Sequence, residues 1–292
     1  MRAPTLRATA LLLSLLLGGA LSACGAGGFA STPAKPPDQT IRSYVALGDG
    51  FTAAPYAGRT VGGDGCLRSA RNYPALAAQQ LGITQVRDVS CTHATTDALT
   101  GRFHPGDGTR LLPPQLDAVT RDTGLVSIGA GIEDRHLLDE MFRVCVSQPC
   151  APGTVFYPKV LQDVGHVGDA VTAVVRAVQA KAPEAYIVVV GYPRLTRPGK
   201  RCPAVPRQHT PPGTDAINYV LDQLNQNLRS AALQTGSGYV DMAAVSDGHE
   251  LCSRDPWVHS MTDEPGTAVA FHPLEAEQRA VAAQLVAQVK ER

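Results

Sequence analysis

The sequence has no excess of charge of either sign. Lysine and arginine together number 26, as do aspartate and glutamate, so the formal net charge at pH 7 is zero. Nucleic-acid-binding domains usually carry a basic surface, so this balance gives no indication of a nucleic-acid partner. No two cysteines have the C-x-x-C spacing, which argues against a structural zinc site.

The N-terminus carries an apolar stretch, Ala8–Ala20, that is too short to predict a membrane span. Arg2 and Arg7 precede it, and Leu21-Ser22-Ala23-Cys24 follows and resembles a bacterial lipobox. The alternative is an ordinary cleaved secretory signal, but that type prefers a small residue at the position that Leu21 occupies. The pattern therefore favours a lipoprotein signal peptide.

This interpretation divides the chain into three parts. Residues 1–23 are expected to be removed, and Cys24 is expected to be lipidated. Residues 24–40 are rich in Gly, Ala and Pro and predict a flexible tether. Residues 41–292 then form the folded domain. The protein is expected to be exported and held by its lipid at the extracytoplasmic side of the cell membrane.

Cysteine usage agrees with export. The chain has seven cysteines, and setting Cys24 aside leaves an even six. In an oxidising compartment these six are expected to form three disulfides. Six cysteines allow about 15 different sets of three pairs, and the spacing alone does not choose among them.

Short apolar runs alternate with helical patterns along the rest of the chain. The runs predict strands at residues 44–47, 86–90, 125–129, 187–191 and 239–242. The patterns predict helices at residues 72–81, 158–182, 214–235 and 274–290. Strands separated by helices predict an α/β fold with a parallel sheet covered on both faces.

Three loops should meet at one edge of this sheet. Gly48–Gly50 and Gly129–Asp134 each follow a strand, and the loop before Leu274 follows the last one. Ligands bind beyond the carboxyl ends of the strands in sheets of this kind, so we expect the functional site there.

Four sequence blocks at these loops resemble the SGNH or GDSL hydrolase family, in its secreted, three-disulfide esterase and lipase branch. In chain order they are Gly48-Asp49-Gly50-Phe51-Thr52, Val89-Ser90-Cys91-Thr92-His93-Ala94, Gly131-Ile132-Glu133-Asp134 and Ala270-Phe271-His272-Pro273. The resemblance covers most of the mature chain. It implies a three-layer, flavodoxin-like fold and serine ester hydrolysis without a cofactor.

The four residues that carry chemistry in the family are mostly replaced. Gly50 stands where the family has its nucleophilic serine. His93 and Glu133 stand where it has the glycine and the asparagine of the oxyanion hole. Only His272, the catalytic base, is kept. A chain without the nucleophile and with a carboxylate at the oxyanion position is expected to be a pseudo-hydrolase that binds a small acyl or glycan ligand.

Two alternatives remain at this point. One is an active ester hydrolase with rewired residues, for which the Thr52 hydroxyl is a candidate nucleophile, although a local hydrogen bond within a helix is the simpler role for it. The other is a metal site, because Asp49, His93, Glu133 and His272 should face one pocket. Asp134 is expected to cap or anchor a loop.

The resemblance also implies the disulfides Cys66–Cys91, Cys145–Cys150 and Cys202–Cys252. The family often orients its histidine with an aspartate three residues earlier, where this chain has Val269. Some members use a backbone carbonyl near the tryptophan instead, here Trp257, so Val269 does not by itself argue against a catalytic role for His272.

Overall fold

The computed structural model describes residues 40–292, except 107, 109, 140, 142–155, 198, 201–210 and 261. The predicted signal peptide, Cys24 and the tether up to residue 39 lie outside the described residues. Cys145, Cys150 and Cys202 do so as well. The lipidation of Cys24 and the pairings that involve these three cysteines therefore stay predictions.

A five-stranded, fully parallel sheet forms the centre of the domain. Its strands are β1 (Ser43–Gly48), β2 (Gln85–Asp88), β3 (Leu125–Gly129), β4 (Tyr186–Val190) and β5 (Gly238–Val240). Their spatial order is β2-β1-β3-β4-β5, and every neighbouring pair runs parallel. This is the flavodoxin-like order, so the predicted α/β class is confirmed.

Helices cover both faces of the sheet. Those among the described residues are α1 (Gly50–Ala53), α2 (Tyr73–Leu81), α3 (Thr96–Thr100), α4 (Phe156–Lys181), α5 (Pro211–Thr235), α6 (Met242–Val245) and α7 (Glu275–Glu291), with 3₁₀ turns at Gln115–Ala118 and Asp134–His136. Helices α4 and α5 pack together on one face, and α2 and α7 on the other.

Alternation along β1 shows how the two faces are filled. Val45 and Leu47 enter the core under α4 and α5, whereas Tyr44 and Ala46 enter the core under α2 and α7. A strand buried on both sides needs a continuous apolar run, which is the signal that predicted it. None of the helices in the described residues has the length and apolarity of a membrane span.

The boundaries of α2 follow from its two end residues. The Asn72 side chain accepts a hydrogen bond from the amide of Ala75 at 3.2 Å and caps the helix. Gly82 ends the helix with a φ of +67°, a left-handed conformation that glycine adopts without steric cost. Both roles agree with the sequence prediction.

One disulfide, Cys66–Cys91, lies within the described residues, and both cysteines are buried. It ties the loop after β2, which carries Thr92 and His93, to the loop before α2. This is the pairing that the family resemblance implied. Cys252 is also disulfide-bonded.

Candidate functional site

The turn after β1 is held by Asp49, which caps α1. Its Oδ1 accepts a hydrogen bond from the amide of Phe51 at 2.9 Å, and its Oδ2 accepts one from the Tyr192 hydroxyl at 2.6 Å. Asp49 is wholly buried. Burial raises the pKa of this carboxyl to about 7, although the Tyr192 hydroxyl acts in the opposite direction. A fully buried carboxyl group therefore holds the turn after β1 in place.

Tyr192 connects this turn to the third sequence block. Its hydroxyl accepts a hydrogen bond from the amide of Ile132 at 3.0 Å while it donates to Asp49. The loop that carries Glu133 is thereby set at a fixed position relative to Gly50. Gln115 fixes the end of β1 in a similar way, because its side chain bonds both the amide of Gly48, at 2.7 Å, and its carbonyl, at 2.9 Å.

Thr52 is not placed to act as a displaced nucleophile. Its hydroxyl donates to the carbonyl oxygen of Gly129 at 2.9 Å, and the residue is 1% exposed. The prediction that this hydroxyl bonds within its own helix is wrong, because its acceptor, Gly129, lies on the neighbouring strand β3. The hydroxyl thus ties α1 to β3 and faces away from the loops that form the site.

The space beside Gly50 is filled by His272. A Cβ atom built on Gly50 would lie 2.5 Å from Nε2 and 3.0 Å from Cδ2 of that ring. Real Cβ atoms are essentially never found so close to another heavy atom. The imidazole therefore occupies the position that a side chain at residue 50 would need. The next nearest atom to that position is the Thr92 hydroxyl oxygen, at 3.5 Å.

His272 keeps the orientation of a general base. Its Nδ1 lies 2.9 Å from the carbonyl oxygen of Ala270, which can only accept, so Nδ1 carries the proton. This carbonyl orients the ring in place of the aspartate that the chain lacks at Val269. The ring packs at 5.1 Å from the Phe51 ring, and the residue is 2% exposed.

Glu133 lies between two imidazoles. Its Oε1 is 3.7 Å from Nε2 of His272, and its Oε2 is 3.8 Å from Nδ1 of His93. Burial acts to raise the pKa of Glu133, but the two histidines outweigh it and lower that pKa to about 2. The carboxylate is thus ionised at neutral pH. Glu133 in turn raises the pKa of His93.

His93 is held in a conformation that suits glycine. Its φ is +60°, in the left-handed region that only a few per cent of non-glycine residues adopt. The family resemblance placed a glycine at this position, so the backbone agrees with that alignment. The side chain is 59% exposed and reaches Glu133 from the solvent side.

Asp134 anchors the second loop of the site. Its two carboxylate oxygens accept hydrogen bonds from the amide and the hydroxyl of Thr96, at 2.7 Å and 2.5 Å. This is the anchoring role expected from the sequence. Asp134 therefore holds the start of α3 against the loop that carries Glu133.

The structure does not support the metal interpretation. Both oxygens of Asp49 are already engaged, with Phe51 and Tyr192, so Asp49 does not join Glu133 and the two histidines as a ligand. Among residues 40–292, apart from the gaps given above, no three His, Cys, Asp or Glu side chains are grouped so that they could hold a metal ion.

Sequence reasoning missed three residues of the site: Thr92, Gln115 and Tyr192. All three lie in loops or in a 3₁₀ turn, where periodicity carries no signal. Each acts through a contact across a long sequence separation, such as the 143 residues between Tyr192 and Asp49. Of the three, only Tyr192 carried a signal in the sequence, because it follows the strand β4 closely and so lies near the edge of the sheet where ligands bind.

Comparison with known proteins identifies the family. Residues 46–280 match the GDSL-like Lipase/Acylhydrolase family. The chain is 31% identical to Lipase 1 of Streptomyces coelicolor over 276 residues, which is 93% of this chain and 94% of that protein. It is also 31% identical to a lipase of Streptomyces rimosus, over 85% of this chain and 86% of that protein. The chain therefore belongs to the GDSL-like lipase/acylhydrolase family.

Solved structures agree. Phospholipase A1 from Streptomyces albidoflavus superposes with a TM-score of 0.69 at 30% identity, covering 86% of this chain and 99% of that one. The extracellular lipase from Streptomyces rimosus gives a TM-score of 0.68 at 28% identity, covering 84% and 98%. The SGNH-hydrolase fold expected from the resemblance is thus confirmed.

Proposed function

We propose that this chain is a pseudo-hydrolase, an exported lipoprotein that has lost serine ester hydrolysis and binds a ligand with the former active site. One observation carries the proposal. The His272 imidazole lies where the side chain of a nucleophile would be, with Nε2 2.5 Å from the Cβ position of residue 50. A glycine cannot attack a carbonyl, and any side chain at residue 50 would require the imidazole to shift.

Loss of the nucleophile alone costs about a millionfold in the turnover of a serine hydrolase. In this chain the oxyanion position is altered as well. Glu133 is ionised and 13% exposed, and it stands at the family's asparagine position. A carboxylate there opposes the negative charge that develops on the carbonyl oxygen, and one lost donor is already worth about 3 kcal/mol.

A binding role is supported by what has been kept. Asp49, Tyr192 and Asp134 still fix the loops that carry the site residues, although no covalent step needs them. Relatives of this chain are named lipases, which makes a small acyl or glycan ligand the proposed class. Glu133 and the half-exposed His93 would offer that ligand hydrogen bonds at the mouth of the site.

Membrane attachment is part of the proposal and rests on Leu21-Ser22-Ala23-Cys24. A diacylated cysteine gives stable anchoring, because two acyl chains bind a bilayer far more firmly than one. We expect Cys24→Ser to release the protein from the membrane fraction or to trap its precursor, as seen by fractionation and mass spectrometry. Native protein that begins at another residue and carries no lipid would contradict this.

The activity assay is p-nitrophenyl acetate and butyrate turnover by the purified domain. We expect the wild type to be no faster than buffer, and His272→Ala to make no difference. Turnover well above background that His272→Ala abolishes would show instead that the histidine still serves as a base.

A rewired ester hydrolase is the second candidate, and Thr92 is the observation that favours it. Its hydroxyl oxygen lies 3.5 Å from the position that a Cβ atom of residue 50 would take, and no other hydroxyl is nearer to that position. In that reaction the Thr92 oxygen would add to the acyl carbon as His272 Nε2 takes its proton. His272 would return the proton to the departing alcohol, and water would then hydrolyse the acyl-threonine. Turnover that Thr92→Val removes would select this candidate over the pseudo-hydrolase.

A further inference from the structure

A cavity of about 150 Å³ lies at the outer edge of the sheet, beside β2 and beneath the 3₁₀ turn Gln115–Ala118. Six apolar residues form most of its wall: Val89, Phe103, Leu112, Pro113, Pro114 and Ala118. None of the four residues that replace or keep the family's catalytic groups lines it. It is therefore separate from the former active site, although Gln115 lies between the two and bonds to Gly48.

The size of the cavity sets the size of its occupant. An apolar cavity of about 150 Å³ is large enough to take benzene, which has six carbon atoms. A chain of about six carbons would fill the space, and a longer one would have to protrude. Pro113 and Pro114 make one part of the wall stiff, because each proline ring fixes its own φ.

The charged residues that line the cavity are two acids, Asp64 and Asp117, and two bases, Arg68 and Arg87. Arg68 is paired with Asp64 at 2.5 Å and donates a second hydrogen bond to the carbonyl of Ser90 at 2.8 Å. Asp117 lies 3.9 Å from the ammonium of Lys181, which is outside the lining. Arg87 is exposed and forms no ion pair within the part of the chain that the structure describes. Arg87 is therefore the lining cation that is left to pair with an anionic ligand.

We propose that this cavity binds a short-chain carboxylate, with about six carbons against the apolar wall and the carboxylate on the Arg87 guanidinium. The apolar wall favours a hydrocarbon tail, and a guanidinium pairs with a carboxylate in a bidentate manner. A neutral alcohol of the same length would gain only the first of these contributions. A cation of the same length would be repelled by Arg87.

The test is binding of hexanoate, followed by NMR chemical-shift changes on the purified domain, with 1-hexanol and hexylammonium as matched probes. A ligand of this size is expected to bind with a Kd on the order of 1 mM. Arg87→Gln should weaken hexanoate about three- to fivefold and leave hexanol unchanged, since an exposed ion pair contributes modestly. Ala118→Leu and, separately, Val89→Phe should fill the cavity and weaken both of these probes more than tenfold.

Arg121→Gln is the control, because Arg121 is likewise exposed and unpaired among the described residues but does not line the cavity. Equal binding of hexanoate and hexanol, or an Arg121→Gln effect as large as that of Arg87→Gln, would overturn the carboxylate assignment. Hexanoate binding that neither filling variant alters, with both variants folded by their melting temperatures, would overturn the site itself. Chemical-shift changes at Leu112 and Ala118, with none at His93 and Glu133, would assign the bound hexanoate to this cavity, which separates this test from the proposed function.

Discussion

The inner support of the site and its reacting face differ in how completely their polar groups are satisfied. The inner support comprises Asp49, Tyr192 and Asp134, and their oxygens are engaged in hydrogen bonds. The reacting face comprises Gly50, His93, Glu133 and His272. Here Oε1 of Glu133 and Nε2 of His272 are both buried and without a hydrogen-bond partner.

This difference shows that the fold depends on the support and not on the chemistry. A buried carboxyl group that caps a helix stabilises the turn whether or not residue 50 is a serine. One fold can carry sites of different chemistry, so the residues of the reacting face can change while the scaffold stays the same. Oε1 of Glu133 and Nε2 of His272 lie 3.7 Å apart, and the same ring nitrogen lies against Gly50.

The largest expected effect comes from rebuilding the reacting face. Gly50→Ser alone should stay near background, because Glu133 would still oppose the oxyanion and the two oxyanion-hole donors would still be missing. Gly50→Ser combined with His93→Gly and Glu133→Asn should exceed the single variant by about 10⁴-fold, since two donors return. The measurement is p-nitrophenyl butyrate turnover.

His272→Ala in the triple variant is the control and should remove the regained turnover. Equal turnover of the single and the triple variants would show that Glu133 and His93 do not limit the reaction. The claim that the residues of the reacting face prevent hydrolysis would then be wrong.

The second effect concerns the inner support. Asp49→Ala leaves the Tyr192 hydroxyl and the amide of Phe51 without their buried acceptor, and should lower the free energy of unfolding by about 3 kcal/mol. Asp49→Asn keeps an oxygen for one of them and should cost about 1 kcal/mol. Urea unfolding of both variants measures this. A loss as small for alanine as for asparagine would mean that the support is not structural.

The smallest expected effect is a pH dependence of the unfolding free energy, caused by a buried carboxyl group near the turn after β1. Glu277 is 2% exposed, beside a small cavity that Phe51 and Tyr192 also line. Burial raises its pKa to about 8, although Gln278 opposes the shift. A raised folded-state pKa gives stability that is present below the unfolded value, about 4.3, and lost as pH rises through about 8.

The wild type should therefore lose on the order of 2 kcal/mol of unfolding free energy between pH 6 and pH 8 through this group. Glu277→Gln should remove most of that loss and change stability little at pH 5. Asp49 acts in the same direction, because burial raises its pKa to about 7, so some pH dependence should persist in the variant. Identical pH profiles for the two proteins would contradict the assignment to Glu277.

Much of the scaffold was predictable from sequence, because it rests on local signals. The predicted strand at residues 125–129 is the observed β3, Leu125–Gly129. The helices predicted at 158–182 and 214–235 begin two to three residues earlier in the structure, at Phe156 and Pro211. Apolar periodicity locates the buried part of a helix well and its ends less well, and helix ends are themselves defined only to within one or two residues.

The site was predictable as a set of positions but not as a geometry. The family blocks pointed to Gly50, His93, Glu133 and His272, and the structure brings all four together. The position of the imidazole against Gly50 has no signal in the sequence, because it depends on the Ala270 carbonyl and the Phe51 ring. The Tyr192 link is hidden for the same reason, since it is a tertiary contact.

The most direct measurement is intact-mass spectrometry of the wild-type domain after exposure to a fluorophosphonate, which labels activated serine and threonine hydroxyls covalently. The triple variant with serine at residue 50 serves as the positive control, and its adduct should map to that residue. We expect the wild type to stay unmodified, because His272 has no activated hydroxyl to deprotonate. A stoichiometric wild-type adduct that His272→Ala abolishes would contradict the loss of hydrolysis, and its position would identify the nucleophile.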